Sequence, residues 1–183
     1  MKIHETSMKG LCVLEPKIFN DDRGYFMESY NQRTLSELGI DIQFIQDNQS
    51  FSKKGVLRGL HFQKPPFAQT KLIRVLEGTI FDVVVDLRKS QPSYKKYLSF
   101  ELSAENQKQL LIPAGFAHGF LVTGKEALIF YKCDQYYHPL AESGIIYRDP
   151  ELNINWPRLD CQISVSKNDL ALPPLAEIEN LFL

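Results

Sequence analysis

Arg58-Gly-Leu-His-Phe-Gln-Lys-Pro-Pro-Phe-Ala-Gln-Thr-Lys71 is the stretch around which the chain is organised. It puts a guanidinium, an imidazole and an ammonium within fourteen residues. Apolar β-type runs flank it, Val56-Leu57 before and Leu72-Ile-Arg-Val-Leu76 after. Pro65-Pro66 cannot extend a central strand, because proline has no N–H for the ladder. The reading is strand, Pro-Pro turn, strand, with Arg58 and His61 on the first strand and Lys71 opening the second. A sheet built only for stability does not need these groups there. Taken singly, each is most simply a solvated strand residue. Together they mark a site. On an ideal strand, Arg58 and His61 are odd-spaced and face opposite sides. They share a pocket if Gly59 marks a bulge. Otherwise Arg58 reaches around an edge or across to another subunit.

Working outward, strand signals recur on both sides. Leu11–Phe19 reads as a strand that Pro16 demotes towards an edge, followed by turn chemistry at Asn20–Gly24. Tyr25–Tyr30, Ile42–Phe51, Ile80–Leu87, Tyr97–Leu102 and Leu110–Pro113 read as strands. His118–Val122 and Ala127–Cys133 read as a hairpin over Thr123-Gly124-Lys125. Asn31–Leu38 is the clearest helix, with Asn31 as cap and Gly39 as stop. Ser103–Glu105 and the last fifteen residues are further helical candidates. About ten short strands with almost no long helix imply a sandwich or barrel. The expectation is a mainly β, double-sheet jelly roll over residues 1–183 as one domain, with a few short helices and a small-molecule cavity between its sheets.

Composition removes other classes. There are 21 basic and 22 acidic residues, a net charge of −1, which argues against a nucleic-acid or membrane-surface binder. The longest apolar runs, such as Ile80–Val85, are strand-length and far too short to span a bilayer. The start, Met1-Lys-Ile-His-Glu5, has no apolar signal core. The three cysteines are widely spaced and form no CxxC, so the expectation is free thiols in a reducing cytoplasm.

Gly78 and Pro113-Ala-Gly-Phe-Ala-His118 resemble the turn glycine and the PxGxxH motif of the cupin superfamily. Metal-binding cupins carry H-x-H and then an acidic ligand. Here Gln63 follows His61, and Lys71 stands where the acid is expected. An ammonium repels a divalent cation, and a site with His61 and His118 alone lacks ligands. The expectation is no catalytic metal.

Five segments make the resemblance specific: Arg58–Gln63 with Ala68–Lys71, Asp82-Val-Val-Val-Asp-Leu-Arg88, Ile112–Phe120, Tyr131–Tyr137, and Asp22-Arg-Gly-Tyr-Phe-Met-Glu28. Glu15-Pro16, Gln46-Asp-Asn48 and Asn155-Trp-Pro157 extend it through nearly the whole chain. In this order they resemble the dTDP-4-dehydrorhamnose 3,5-epimerase family. That resemblance implies a cupin jelly roll, a homodimer with shared sheet edges, no cofactor, and a dTDP-linked 4-keto-6-deoxy sugar as substrate, epimerised at C3 and C5 in deoxysugar (dTDP-rhamnose) biosynthesis.

Such chemistry needs a base for the proton next to the ketone, a cation or donor for the enolate oxygen, and an acid on the opposite face. His61 is the natural base, since imidazole titrates near neutrality. The resemblance pairs it with Asp169 and implies Lys71 for the enolate and Tyr131 as proton donor. By itself Asp169 reads as a helix-start cap, Lys71 as a solvated strand end and Tyr131 as core. The resemblance also implies a substrate-binding set. Arg23 and Arg58 suit a diphosphate through bidentate geometry. Glu28, Gln46, Asp47, Asn48 and Glu142 suit sugar or base edges. His118 sits near the sugar, and Tyr137 stacks on thymine. Where the family often has Lys-Asp, this chain has Asn168-Asp169, so no lysine contact is carried over there. Two alternatives stand beside the double epimerase: a mono-epimerase at C3 or C5, and a non-catalytic sugar-nucleotide-binding cupin.

Overall fold

The computed structural model describes residues 1–179 and Phe182. Its strands are β1 (Lys2–Glu5), β2 (Cys12–Glu15), β3 (Ile18–Asp21), β4 (Gly24–Met27), β5 (Gln46–Lys53), β6 (Val56–Gln63), β7 (Lys71–Asp86), β8 (Tyr97–Ser103), β9 (Gln109–Ile112), β10 (Phe116–Cys133), β11 (Glu142–Gly144) and β12 (Ser164–Val165). Two short helices, α1 (Gln32–Glu37) and α2 (Lys167–Leu170), and a 3-10 turn at Leu175–Glu177 complete it.

The long strands β7 and β10 organise the rest. They pair antiparallel from Phe116↔Asp86 to Cys133↔Lys71. Each serves two sheets in turn. The first half of β7 pairs with β9, and the second half with β8. The first part of β10 pairs with β6, and the second with β5. One sheet therefore runs β1-β2-β9-β7-β10-β5, and the other β8-β7-β10-β6-β11, with β12 parallel to β6. This is the expected double-sheet jelly roll. The corner lies where the β7–β10 register slips, between Val122 and Ala127 and again between Leu128 and Ile129. Gly78 sits there at φ +78°, and a Cβ at this position would overlap the Glu126 carbonyl oxygen. A bulge that bends both strands lets them pass from one sheet to the other.

Several local expectations are corrected by this arrangement. Thr123-Gly124-Lys125 does not turn a hairpin; it bulges out of a continuous β10. Gly78 bends β7 without ending it. Pro16 splits Leu11–Phe19 into β2 and β3, and β5 begins at Gln46, not Ile42. Ser103–Glu105 closes β8 in a turn, and among the described C-terminal residues helix is confined to α2 and the 3-10 turn. The expected α1 is present, and the Asn31 side chain accepts from the Arg33 and Thr34 backbone N–H groups.

Three apolar clusters hold these layers. Ile73, Val75, Ile80, Val84, Leu110, Phe120 and Ile129 fill the space between the sheets. Phe62, Val83, Val85, Ile145, Leu152 and Leu175 cover the outer face of the β8–β6 sheet with the C-terminal segment. Leu14, Leu35, Leu72 and Leu111 seat α1 on the other outer face. Because both faces of β7 are covered, Phe81, Val83 and Val85 alternate with Ile80, Asp82 and Val84, and the strand reads as an almost unbroken apolar run. The β3–β4 hairpin is a separate two-stranded sheet with Phe19, Tyr25 and Phe26 exposed.

Candidate active site

Strand alternation sends every second side chain into the barrel. From β7 these are Lys71 and Asp82; from β10, His118, Phe120 and Tyr131. In β6 the rhythm breaks where it must. His61 pairs with His118 and Arg58 with Phe120, so three steps along β6 oppose two along β10. The extra residue is a bulge at Gly59, which has φ +109°. A cis peptide links Gly59 to Leu60. The bulge turns Leu60 to the outer cluster and leaves Arg58 and His61 lining one cavity. Of the routes open from the sequence, the bulge is the one the chain takes.

The cavity has a volume of 430 Å³ and is continued by a second lobe of 330 Å³. His61, Lys71 and Tyr131 line both lobes and so stand at their junction. His61 Nε2 lies 2.9 Å from Asp169 Oδ1. The Gly59 backbone N–H donates to the other carboxylate oxygen at 3.2 Å. Ser166 caps α2 by accepting the Asp169 N–H, which holds the aspartate at the helix start. The Asp169 side chain is 9% exposed and that of His61 34%, so the carboxylate is enclosed while the ring faces the cavity. With Nε2 committed to a carboxylate, Nδ1 is the nitrogen left for chemistry.

Opposite this pair, Lys71 and Tyr131 respond to the same desolvation in opposite ways. Burial lowers the Lys71 pKa, against the pull of Cys133, Asp82 and Glu142. Burial and then Cys133 raise the Tyr131 pKa, while Arg58 pulls it the other way. Arg58 Nε donates to Ser52 Oγ at 3.1 Å, which aims the guanidinium along β5. His118 Nε2 sits 2.8 Å from Asp82 Oδ2 inside the barrel.

The second lobe collects polar side chains. Gln46 and Asn48 point in from alternate positions of β5. Gln46 Oε1 accepts the Tyr137 backbone N–H at 2.8 Å, and the Tyr137 hydroxyl donates to Glu142 Oε2 at 2.6 Å. Gln63, flagged in the sequence only as a poor metal ligand, is a clamp. Its amide donates to the carbonyls of Phe67 and Tyr136, and its oxygen accepts the His138 N–H. It ties the Pro-Pro turn to the segment bearing Tyr137.

Comparison with known proteins decides the class. Residues 5–177 match the family model described as dTDP-4-dehydrorhamnose 3,5-epimerase. The chain belongs to this family. It is 49% identical to the dTDP-4-dehydrorhamnose 3,5-epimerase of Shigella flexneri over 158 residues, 86% of this chain and 87% of the relative. Among solved structures it resembles the dTDP-6-deoxy-D-glucose-3,5-epimerase of Legionella pneumophila in complex with dTDP-4-keto-L-rhamnose, with a TM-score of 0.94 and 45% identity covering 100% and 96% of the two chains. A more distant member of the same fold, a 3'-monoepimerase of Streptomyces bikiniensis in complex with dTDP-quinovose, gives a TM-score of 0.88 at 32% identity, covering 94% and 87%. The cupin jelly roll anticipated from Gly78 and Pro113–His118 is the fold of the family.

Of the residues singled out for such a family, His61, Asp169, Lys71, Tyr131, Arg58, His118, Gln46, Asn48, Tyr137 and Glu142 converge on the two lobes. Three do not. Arg23 lies on the turn of the β3–β4 hairpin, 90% exposed and paired with its neighbour Asp21. Glu28 accepts from Asn31 beside α1. Asp47 faces outward on β5 and binds Lys132. Two contributors were missed as individuals, Gln63 and Asp82. The available signal for Asp82 was an acidic residue in the middle of an apolar strand. Among the described residues no three His, Cys, Asp or Glu side chains cluster as metal ligands, and no helix is long and apolar enough to cross a membrane.

Proposed function

We infer that the protein is an isomerase that epimerises dTDP-4-dehydro-6-deoxy-D-glucose at C3 and C5, giving dTDP-4-dehydro-L-rhamnose. The observation that carries this reading is the His61–Asp169 pair facing Lys71 and Tyr131 across one cavity, in a chain of the 3,5-epimerase family. His61 Nδ1 removes a proton from the carbon next to the 4-keto group. The electron pair moves into the carbonyl, and the Lys71 ammonium stabilises the enolate oxygen. Tyr131 returns a proton from the opposite face, and the same steps serve the other neighbour of the ketone. Asp169 holds the imidazole tautomer and stabilises the imidazolium. The ketone acidifies both carbons, so no redox group is required, and Lys71 supplies the electrophile that a metal would supply elsewhere.

The nucleotide is assigned to the polar lobe, with Tyr137 stacking on the base and Gln46, Asn48 and Glu142 on sugar or base edges. Arg58 binds the diphosphate. Arg23, Glu28 and Asp47 join the site only if the exposed β3–β4 arm and its surroundings meet a second subunit, so the working form is a homodimer. As a single-domain enzyme of nucleotide-sugar metabolism it is placed in the cytoplasm.

The mono-epimerase reading has support in the likeness to the Streptomyces bikiniensis protein, but identity to the named 3,5-epimerases is well above the 32% found there. Incubation with dTDP-4-keto-6-deoxyglucose in deuterated water separates the readings. Deuterium at C3 and C5 with an inverted product is expected. Label at one carbon alone would establish a mono-epimerase, and no label a binding protein. Tyr131→Phe is expected to keep exchange from the His61 side while inversion fails. Full epimerisation by this variant would return Tyr131 to the core.

A further inference from the structure

Asp82 is a buried acid of the barrel interior that the proposed reaction does not use. The residue is fully removed from solvent within the apolar run Ile80-Phe-Asp-Val-Val-Val85 of β7. It lies opposite Phe120 in the β7–β10 register, so His118 is its diagonal neighbour on the inner face. Its Oδ2 meets His118 Nε2, and its Oδ1 has no hydrogen-bond partner among the described residues. His118 in turn stands directly across from His61 in the β6–β10 register. The cavity therefore holds two imidazoles side by side, each gripped through Nε2 by an enclosed carboxylate.

A carboxylate with one oxygen unpaired is a costly thing to bury, and a buried pair of this kind is a poor way to stabilise a fold. Burial pushes the Asp82 carboxyl up, and His118 and then Lys71 draw it back down. The His118 side chain is 11% exposed and lines the cavity, and no group among the described residues bonds its Nδ1. Everything that orients this ring comes from Asp82 on one side and strand packing on the other.

We propose that Asp82 is a positioning residue for the epimerisation: through Nε2–H it fixes the ring plane and tautomer of His118, so that Nδ1 meets the sugar as a hydrogen-bond acceptor. The proposal rests on the epimerase reading above. It implies that the substrate offers a hydroxyl at that wall of the cavity, and that a donor there in place of an acceptor is mismatched.

Asp82→Asn tests this without changing shape. Turning the amide carbonyl to His118 would leave a buried NH2 unpaired. The amide therefore donates to Nε2 and moves the ring proton to Nδ1. Turnover is expected to fall about 10²-fold, the cost of misplacing a substrate by about 1 Å, with the thermal midpoint little changed. In a His118→Gln background, Asp82→Asn is expected to cost nothing further, because the two residues act as one. Imidazole 15N spectra are expected to show Nε2–H on His118 in the wild type and Nδ1–H in Asp82→Asn. Wild-type turnover in Asp82→Asn, an equal loss in both backgrounds, or Nδ1–H on wild-type His118 would each overturn the proposal. If Asp82→Asn does not fold, the wild-type spectrum decides. That spectrum does not depend on activity, so a wild type that fails to exchange deuterium would sink the epimerase reading separately.

Discussion

His61 has one nitrogen spent on Asp169 and one facing the cavity, and the role proposed for it depends on that division. Removing the ring in His61→Ala should cut deuterium exchange at both carbons by ~10²–10⁴-fold, the usual cost of losing a general base, while the fold survives. Asp169→Asn should also be slow, because an amide favours the wrong tautomer. Exchange at the wild-type rate in either variant contradicts the assignment. Lys71 gives a prediction with a sign in pH. Burial holds its pKa in the fold below the ordinary 10.5. Between the folded and ordinary values the unfolded chain binds more protons, so stability rises with pH across that window. Below it, the cost of enclosing the ammonium is present in full. Lys71→Met should therefore be inactive yet more stable than the wild type at neutral pH, with the gain fading as pH climbs towards 10.5. Urea unfolding of both proteins at pH 7 and pH 10 measures it; a Met variant no more stable at pH 7 would show that the ammonium is solvated. If Lys71 does the work of a metal, activity should also survive exhaustive dialysis against EDTA. Loss with EDTA and recovery with a divalent ion would mean that it does not.

At the scale of the element, the bulge in β6 is what brings Arg58 and His61 to one cavity. Gly59 has φ +109°, and a Cβ there would lie 2.6 Å from Gly119 Cα and 2.7 Å from the His118 carbonyl oxygen. Both neighbours are backbone of the paired strand and cannot move aside. Its N–H also donates to Asp169. Gly59→Ala should cost ~3 kcal/mol or more through strain and overlap, and should separate His61 from its carboxylate. An unchanged urea midpoint with full turnover would mean that the bulge is incidental. The corner at Gly78 works on a larger span. It lets β7 carry Lys71 in one sheet and Asp82 in the other, so that one strand supplies both to the same interior.

At the scale of the molecule, the β3–β4 arm pairs with no other strand among the described residues. A lone two-stranded hairpin is marginal in water, and this one exposes Phe26 to 70% and Phe19 to 51% beside Arg23. A second copy that covers these rings would bring Arg23 to its cavity. Sedimentation should show a dimer, and Phe26→Asp should shift it to monomer with loss of turnover. Mixing supplies the sharper test. Arg23→Ala and His61→Ala, each inactive alone, should regain activity when refolded together, because one site of the mixed dimer then holds His61 and the other subunit's Arg23. A fully active monomer, or no recovery on mixing, would place Arg23 outside the partner's site.

Strand character and the α1 cap were legible in the sequence, because each rests on period or on local turn chemistry. Gln46, Asp47 and Asn48 were all expected in the site; on β5, alternation turns Gln46 and Asn48 to the cavity and Asp47 outward. Thr123-Gly124-Lys125 misled for the same reason: the residues that turn a hairpin also form a bulge, and only the pairing partner distinguishes them. The His61–Asp169 contact joins residues 108 positions apart, so no local pattern contains it; family motifs pointed to the pair, and the packing of α2 against β6 brings it within hydrogen-bond distance. Arg58 and His61 needed one extra residue to share a face, and the sequence offered Gly59 without saying whether β6 used it. Asp82 could be seen as an acid in an apolar strand, but its partner depended on which strand lay beside β7. Periodicity and turn chemistry are properties of neighbours in the chain. Which carboxylate meets which imidazole is a property of register, and register is decided only when the sheets close.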